Sequence, residues 1–263
     1  MSLIAVDENL CKRDGVCIAV CPSRTLVAGA DGIPQEDPAR TCILCGHCVA
    51  VCHFAALTHS QLPLEAFSPM PAQLPAPAAL EGLLRSRRSI RAFKEKPVSR
   101  ALLEELLSTA RMAPTATNSQ QLHWIAVNGR EKVRELAAET VEALRLAGVN
   151  PAQLKQWEDG YDFVLRGAPT LVVVCAPQEY RWRQEDGAIA LTFLELAAEA
   201  RGLGACWAGY LTRAASRHEP IHRLLCAPAG YAVCGGLMLG ESKFKYRRVP
   251  PRKPLSAQWI GFD

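Results

Sequence analysis

Residues 42–52 read Cys42-Ile-Leu-Cys45-Gly-His-Cys48-Val-Ala-Val-Cys52. Four thiols with two, two and three residues between them crowd one short loop and the turn after it. Thiolates at this spacing are the ligand pattern of a cubane iron–sulfur cluster: three close cysteines wrap one cluster and the fourth reaches a second. Zinc prefers short-spaced pairs divided by a longer gap, and this run has no such gap. A disulfide framework is disfavoured too. Seven Cys, an odd number, lie in the first 52 residues, and MSLIAVDENLCKRDG lacks a signal-peptide layout. A reducing, cytoplasmic location is the default expectation.

Working outward, a shift of 31 positions overlays this region on itself. Cys11, Cys17 and Cys21 fall on Cys42, Cys48 and Cys52, Gly15 falls on Gly46, and Leu26 falls on Leu57. Asp14 falls on Cys45. Each copy is too small for a core of its own, but a metal centre can replace one. On these motifs residues 1–60 resemble a bacterial-type two-cluster ferredoxin. The resemblance implies one cluster on Cys42, Cys45, Cys48 and Cys21, and another on Cys11, Cys17 and Cys52 with position 14 as its fourth corner. Asp14 departs from the family, which has Cys there. A carboxylate is harder than a thiolate but still holds iron. Three outcomes stay open: an Asp-ligated [4Fe-4S], a [3Fe-4S] cluster with an empty corner, or a [4Fe-4S] with water or hydroxide there. His53 replaces the proline expected after Cys52 and reads as a surface histidine.

Five Pro lie between Pro63 and Pro77. Repeated proline fixes φ and favours extended chain, so 61–79 reads as a semi-stiff linker between a 1–60 module and an 80–263 domain. Residues 1–60 carry four Lys/Arg and six Asp/Glu, a charge of −2; the remainder, with twenty-six and twenty, carries +6. Hydrophobic residues at 49% and charged residues at 21% are an ordinary globular balance. No apolar run reaches the roughly 18 residues of a membrane span. In 80–263 the apolar spacing of residues 101–112, 131–146 and 187–199 predicts helices. The runs 169–176, 123–127 and 231–239 predict strands. The fold class expected is α+β, with a sheet covered by helices.

Four segments of this domain stand out. They are Arg85-Ser-Arg87-Arg88-Ser89-Ile-Arg91-Ala-Phe93, Ala113-Pro-Thr-Ala-Thr-Asn118-Ser-Gln120-Gln121, Gly202-Leu-Gly204-Ala-Cys-Trp207-Ala208-Gly209, and Pro250-Pro-Arg252-Lys253-Pro254. Arg forks match phosphate oxygens. In this order the segments resemble the nitroreductase family of FMN enzymes, over roughly residues 80–263, and most closely members with a fused ferredoxin module. The resemblance implies a homodimer with one FMN at each of two subunit interfaces. Arg87, Arg88, Ser89 and Arg91 would hold the phosphate and ribityl chain, and Arg252 and Lys253 the C-terminal phosphate clamp. Asn118 and Gln120 would reach FMN from the partner subunit. The backbone N–H groups of Ala208 and Gly209 would face the isoalloxazine edge.

Together the modules suggest a wire in which a low-potential donor (ferredoxin, flavodoxin or NAD(P)H) reduces the clusters, then FMN, then an electron-poor small molecule. Nitroaromatics, quinones and activated alkenes form that class. Alternatives are a flavoprotein reduced by NAD(P)H that sends electrons out through the clusters, and a redox sensor or carrier without turnover. No catalytic acid or base is identified. The basic segments lack interleaved aromatics, which argues against nucleic acid. Cys175, Cys206, Cys226 and Cys234 lie in apolar surroundings without paired spacing and read as buried structural thiols.

Overall fold

The computed structural model describes residues 2–262, and the chain forms two compact units. One is Met1–Leu74 with Pro114–Gln120; the other is Pro75–Ala113 with Gln121–Asp263.

The first unit is built from the 31-residue repeat. Strand β1 (Ile4–Val6) leads to a single-turn helix α1 (Val16–Ala19) and to β2 (Leu26–Ala28). The second copy follows as β3 (Pro34–Glu36), α2 (His47–Ala50) and β4 (Leu57–His59). Strand β1 pairs antiparallel with β4, and β2 with β3. The backbone repeats as closely as the sequence. Gly15 and Gly46 precede the two helices at φ 71° and 72°, and Arg13 and Leu44 are left-handed at 55° and 53°. Only glycine takes that conformation without a side-chain penalty, which explains the glycines of the repeat. Leu26, Val49 and Leu57 form the buried core cluster here, with Ile4, Val6, Ile18 and Phe67 packed on them beside four cysteines. So small a core leaves stability to be supplied by something bound.

The second unit opens with α3 (Pro77–Ser86), which starts inside the stretch read as linker. Its proline sits in the first turn, where the missing N–H costs nothing. Helix α4 (Arg100–Ala110) is capped by Ser99, whose Oγ accepts from Leu102 N–H. Then come β5 (His123–Asn128), α5 (Arg130–Leu146), α6 (Pro151–Glu158), β6 (Thr170–Pro177), α7 (Arg183–Ala200), β7 (Gly204–Trp207), α8 (Gly209–Ala215), α9 (Glu219–Leu224) and β8 (Tyr231–Gly240). The strands form one antiparallel sheet in the order β5-β6-β8-β7.

Strand β6 explains the layers. Leu171 and Val173 enter one core with Val133 and Leu136 of α5, while Val172, Val174 and Ala176 enter another with Leu106 of α4 and Leu191 of α7. Alternate residues of a strand face opposite sides, so a continuous apolar run needs helices on both. The expected α+β fold, a sheet covered by helices, is the fold observed. On β8 the register shifts opposite Val174 and Cys175, where Cys234 is the extra residue. Among the described residues no helix is long and apolar enough to cross a membrane.

Candidate functional site

In the first unit the eight ligand positions divide between two hollows. Cys21, Cys42, Cys45 and Cys48 line one, with Thr25, Glu36 and His59. Cys11, Asp14, Cys17 and Cys52 line the other, with Phe54 and Pro34. Among the described residues no three His, Cys, Asp or Glu side chains close on a single ion. Thiols ringing a hollow, and not a point, suit a multi-iron core better than lone zinc. Thr25 Oγ1 adds an independent sign: it is buried, has no hydrogen-bond partner among the described residues, and lines the first hollow. A buried hydroxyl left unmade is expensive unless something bound receives it.

Backbone N–H groups already point at the sulfurs. Thr25 N–H donates to Cys21 Sγ at 3.3 Å and Ala56 N–H to Cys52 Sγ at 3.2 Å, and these are repeat equivalents. Leu44 N–H donates to Cys42 Sγ at 3.4 Å. Burial pushes the Cys17 and Cys48 thiols up, so metal binding there releases protons. Asp14 Oδ1 accepts from Val16 N–H at 3.2 Å, an Asx turn that holds the carboxylate at the second hollow.

His53 is exposed and packs edge-on to Phe54. The histidine the sequence reading missed is His59, which is 4% exposed with Nε2 3.8 Å from Cys42 Sγ. Only the repeat could have flagged it, since His59 and Thr25 fall on Ala28 and Ala56 under the 31-residue shift.

In the second unit the Arg-rich segment runs beside β7. Ile90 N–H donates to Ala205 O at 2.8 Å, and Ser89 bridges Ala205 in parallel. Gly204 permits this approach: a Cβ there would lie 2.5 Å from Ile90 Cγ1. Arg87 Nη1 donates to Glu195 Oε1 at 2.9 Å, and the carboxylate is buried. Arg88 turns back to the Ser86 and Arg85 carbonyls. Burial pushes the Cys206 thiol of β7 up, and the charges of Arg91, Arg166 and Arg87 pull it down. Arg91 also lines a cleft of about 370 Å³ with Arg130, Arg134 and Arg166. Three cations that the sequence reading passed over therefore share its surroundings. A larger cleft, about 560 Å³, lies elsewhere, around Arg183, His218, His222 and Tyr231, and holds none of the sequence-predicted site residues.

Two expectations need correction. The Ala208 N–H is spent on Gly236 O at 2.8 Å and Ala208 is fully buried, so this group faces the sheet and no ligand. The space where a Gly209 side chain would stand is open, so Gly209 remains as the donor candidate at the first turn of α8. Cys226 is exposed, while Cys175, Cys206 and Cys234 are buried as read. Cys226 follows α9 with φ 50°, at a turn that carries it out of the core.

Arg252 and Lys253 stand exposed in an irregular stretch after β8. The 114–120 segment groups with the first unit. Asn118 Nδ2 donates to Leu44 O at 2.8 Å and Ile43 O at 3.3 Å, the carbonyls between Cys42 and Cys45. Thr117, Asn118 and Gln120 are all left-handed, at φ 52°, 54° and 49°. For β-branched Thr117 that is strain of about 1–2 kcal/mol. The Gln120 N–H is bonded to Thr115 Oγ1 at 3.0 Å.

Comparison with known proteins agrees with this geometry. Residues 84–241 match the nitroreductase family. Residues 3–53 match the 4Fe-4S dicluster domain. A nitroreductase of Desulfitobacterium hafniense, solved with bound FMN, is 27% identical with TM-score 0.58; the match covers 68% of this chain and 97% of that one. A second, from Bacteroides fragilis and also with bound FMN, is 25% identical with TM-score 0.57, covering 70% and 97%. The Bacillus subtilis FMN reductase [NAD(P)H] is 29% identical over 187 residues, 66% of this chain and 70% of that protein. The chain belongs to the nitroreductase family of oxidoreductases and carries an N-terminal 4Fe-4S dicluster domain.

Proposed function

We propose that the protein is an FMN-dependent reductase that passes electrons from two iron–sulfur clusters through FMN to an electron-poor small molecule, such as a nitroaromatic, quinone or activated alkene. The observation that carries this reading is the division of eight ligand positions between two hollows in a chain whose other unit matches FMN-bound nitroreductases. The clusters would supply single electrons, and FMN would accept one or two.

The residues have distinct tasks. Cys21, Cys42, Cys45 and Cys48 hold one cluster; Cys11, Cys17 and Cys52 hold the other, with Asp14 at its fourth corner. Glu195 fixes the Arg87 guanidinium in place by a partly buried ion pair. Arg87, Arg88, Ser89 and Arg91 receive the FMN phosphate and ribityl chain, and Arg252 and Lys253 close on the phosphate. Gly209 N–H is the backbone donor to the ring. Asn118 bonds the carbonyls of the Cys42–Cys45 loop and so ties its own segment to that cluster loop. A homodimer is supported by apolar side chains left in water. Ile189 and Phe193 of α7 are exposed, as are Leu255, Trp259, Ile260 and Phe262.

Anaerobic stopped-flow tests the proposal. A low-potential one-electron donor should bleach the clusters first and the flavin with linked kinetics. Clusters that never exchange electrons with FMN would sink it. The name of the Bacillus subtilis relative carries NAD(P)H and favours a second reading, in which NAD(P)H reduces the flavin and the clusters export electrons. Rapid flavin bleaching by NAD(P)H alone, followed by the clusters, would establish that order.

A further inference from the structure

The two hollows share one backbone donor but not their side-chain donors, and Leu44 N–H to Cys42 has no counterpart at Cys11 among the described residues. Thr25 N–H to Cys21 is matched by Ala56 N–H to Cys52. Two further donors face the Cys42 hollow alone. The first is His59. Its Nδ1 accepts from Gln61 N–H at 3.1 Å. A ring nitrogen that accepts carries no proton, so the proton sits on Nε2. Nε2 stands 3.8 Å from Cys42 Sγ, within reach of an N–H···S hydrogen bond. The tautomer is thus set by the backbone. Strand pairing places Ile4 opposite His59, and the turn that follows returns Gln61 N–H to the ring. The second donor is Thr25 Oγ1, buried without a partner and lining the same hollow. The equivalent positions at the Asp14 hollow are Ala28 and Ala56, which offer neither group.

We infer that His59 and Thr25 are positioning and tuning residues for one cluster: they stabilise its reduced form and make the Cys21/Cys42/Cys45/Cys48 cluster the one that holds the electron longer. One-electron reduction adds negative charge to the core and its sulfurs. Donors aimed at those sulfurs stabilise that charge and raise the potential. Burial strengthens the effect, because the surrounding dielectric is low. The inference rests on the cluster assignment above. It adds an internal order: electrons entering at either cluster settle on the one that His59 serves.

The test is an EPR-monitored redox titration of the anaerobically reconstituted full chain, with dithionite as reductant. The signal of interest is the one lost in Cys45→Ser. His59→Leu should lower its midpoint by the equivalent of about tenfold in the reduction equilibrium, about 59 mV for one electron, and leave the other signal in place. His59→Gln, which keeps an N–H donor, should restore most of the shift, and Thr25→Val should give a smaller fall. An unchanged midpoint in His59→Leu with both clusters present overturns the inference, as does an equal shift of both signals. If His59→Leu fails to assemble, pulsed EPR of the reduced wild-type protein labelled with 15N-histidine decides. A weakly coupled nitrogen at the Cys42 cluster is expected, and its absence overturns the inference. Clusters that titrate as expected yet never exchange electrons with flavin would overturn the proposed function and leave this inference standing. A reconstituted chain without clusters would overturn both.

Discussion

The cysteines of the two units meet opposite surroundings. All seven in the first unit are half-buried and ring hollows, and backbone N–H groups reach three of them. In the second unit Cys175 and Cys234 are sealed between sheet and helices. Burial pushes their thiols up to about 11 and about 12. A metal ligand must surrender its proton, and a thiol that holds its proton this tightly is packing material. Chain spacing separated the two populations; burial explains why they behave differently.

The largest effect comes from crossing that line. Cys45→Ser should abolish one cluster, seen as loss of part of the broad absorption near 400 nm and of the iron bound. Cys234→Ala should keep both clusters. Equal loss from both variants would break the comparison.

Packing on the inert side sharpens it next. Gly187 of α7 faces Cys234, and a Cβ there would lie 2.7 Å from Cys234 Cβ. Gly187→Ala should therefore cost about 1–3 kcal/mol in denaturant unfolding. No loss of stability would mean the helix and β8 are not in register as described.

Alkaline pH probes the same thiols. Their folded values are raised from the ordinary 9.0. The stability they contribute is therefore complete below about pH 9. It is lost as pH rises, because the unfolded thiols ionise first, and for Cys234 the loss runs to about pH 12. Denaturant midpoints at pH 8 and pH 10 should fall less in Cys234→Ala than in the parent. At pH 8 iodoacetamide should label exposed Cys226 at once. Cys234, with about one thiolate in ten thousand, should stay unmodified.

Asp14→Cys is the mildest change. It should leave the Cys42-side EPR signal untouched and turn the other cluster into an all-thiolate [4Fe-4S]. An unaltered spectrum would show that Asp14 had no bearing on that cluster.

The candidate cluster ligands were legible because they lie close together in the chain. The repeat, the helices α4, α5 and α7 and the strands β5, β6 and β8 were legible from periodicity, since each buries one face or both. Strand β7 was not, being only four residues long, Gly-Ala-Cys-Trp, a run that gives no alternation. Ala208 was misread for a related reason: its N–H completes a bond to Gly236, a partner 28 residues away. Cys226 looked apolar in sequence and lies on the surface because its turn leaves the core.

By itself the sequence determined which thiols stand at cluster spacing and which unit carries the cation-rich segment, because spacing and charge are local properties of the chain. Only the tertiary structure decided which donors serve which cluster. His59 is 17 residues from Cys42, and it meets that sulfur through the pairing of β1 with β4. Its tautomer is then fixed by a backbone N–H that no pattern in the chain announces.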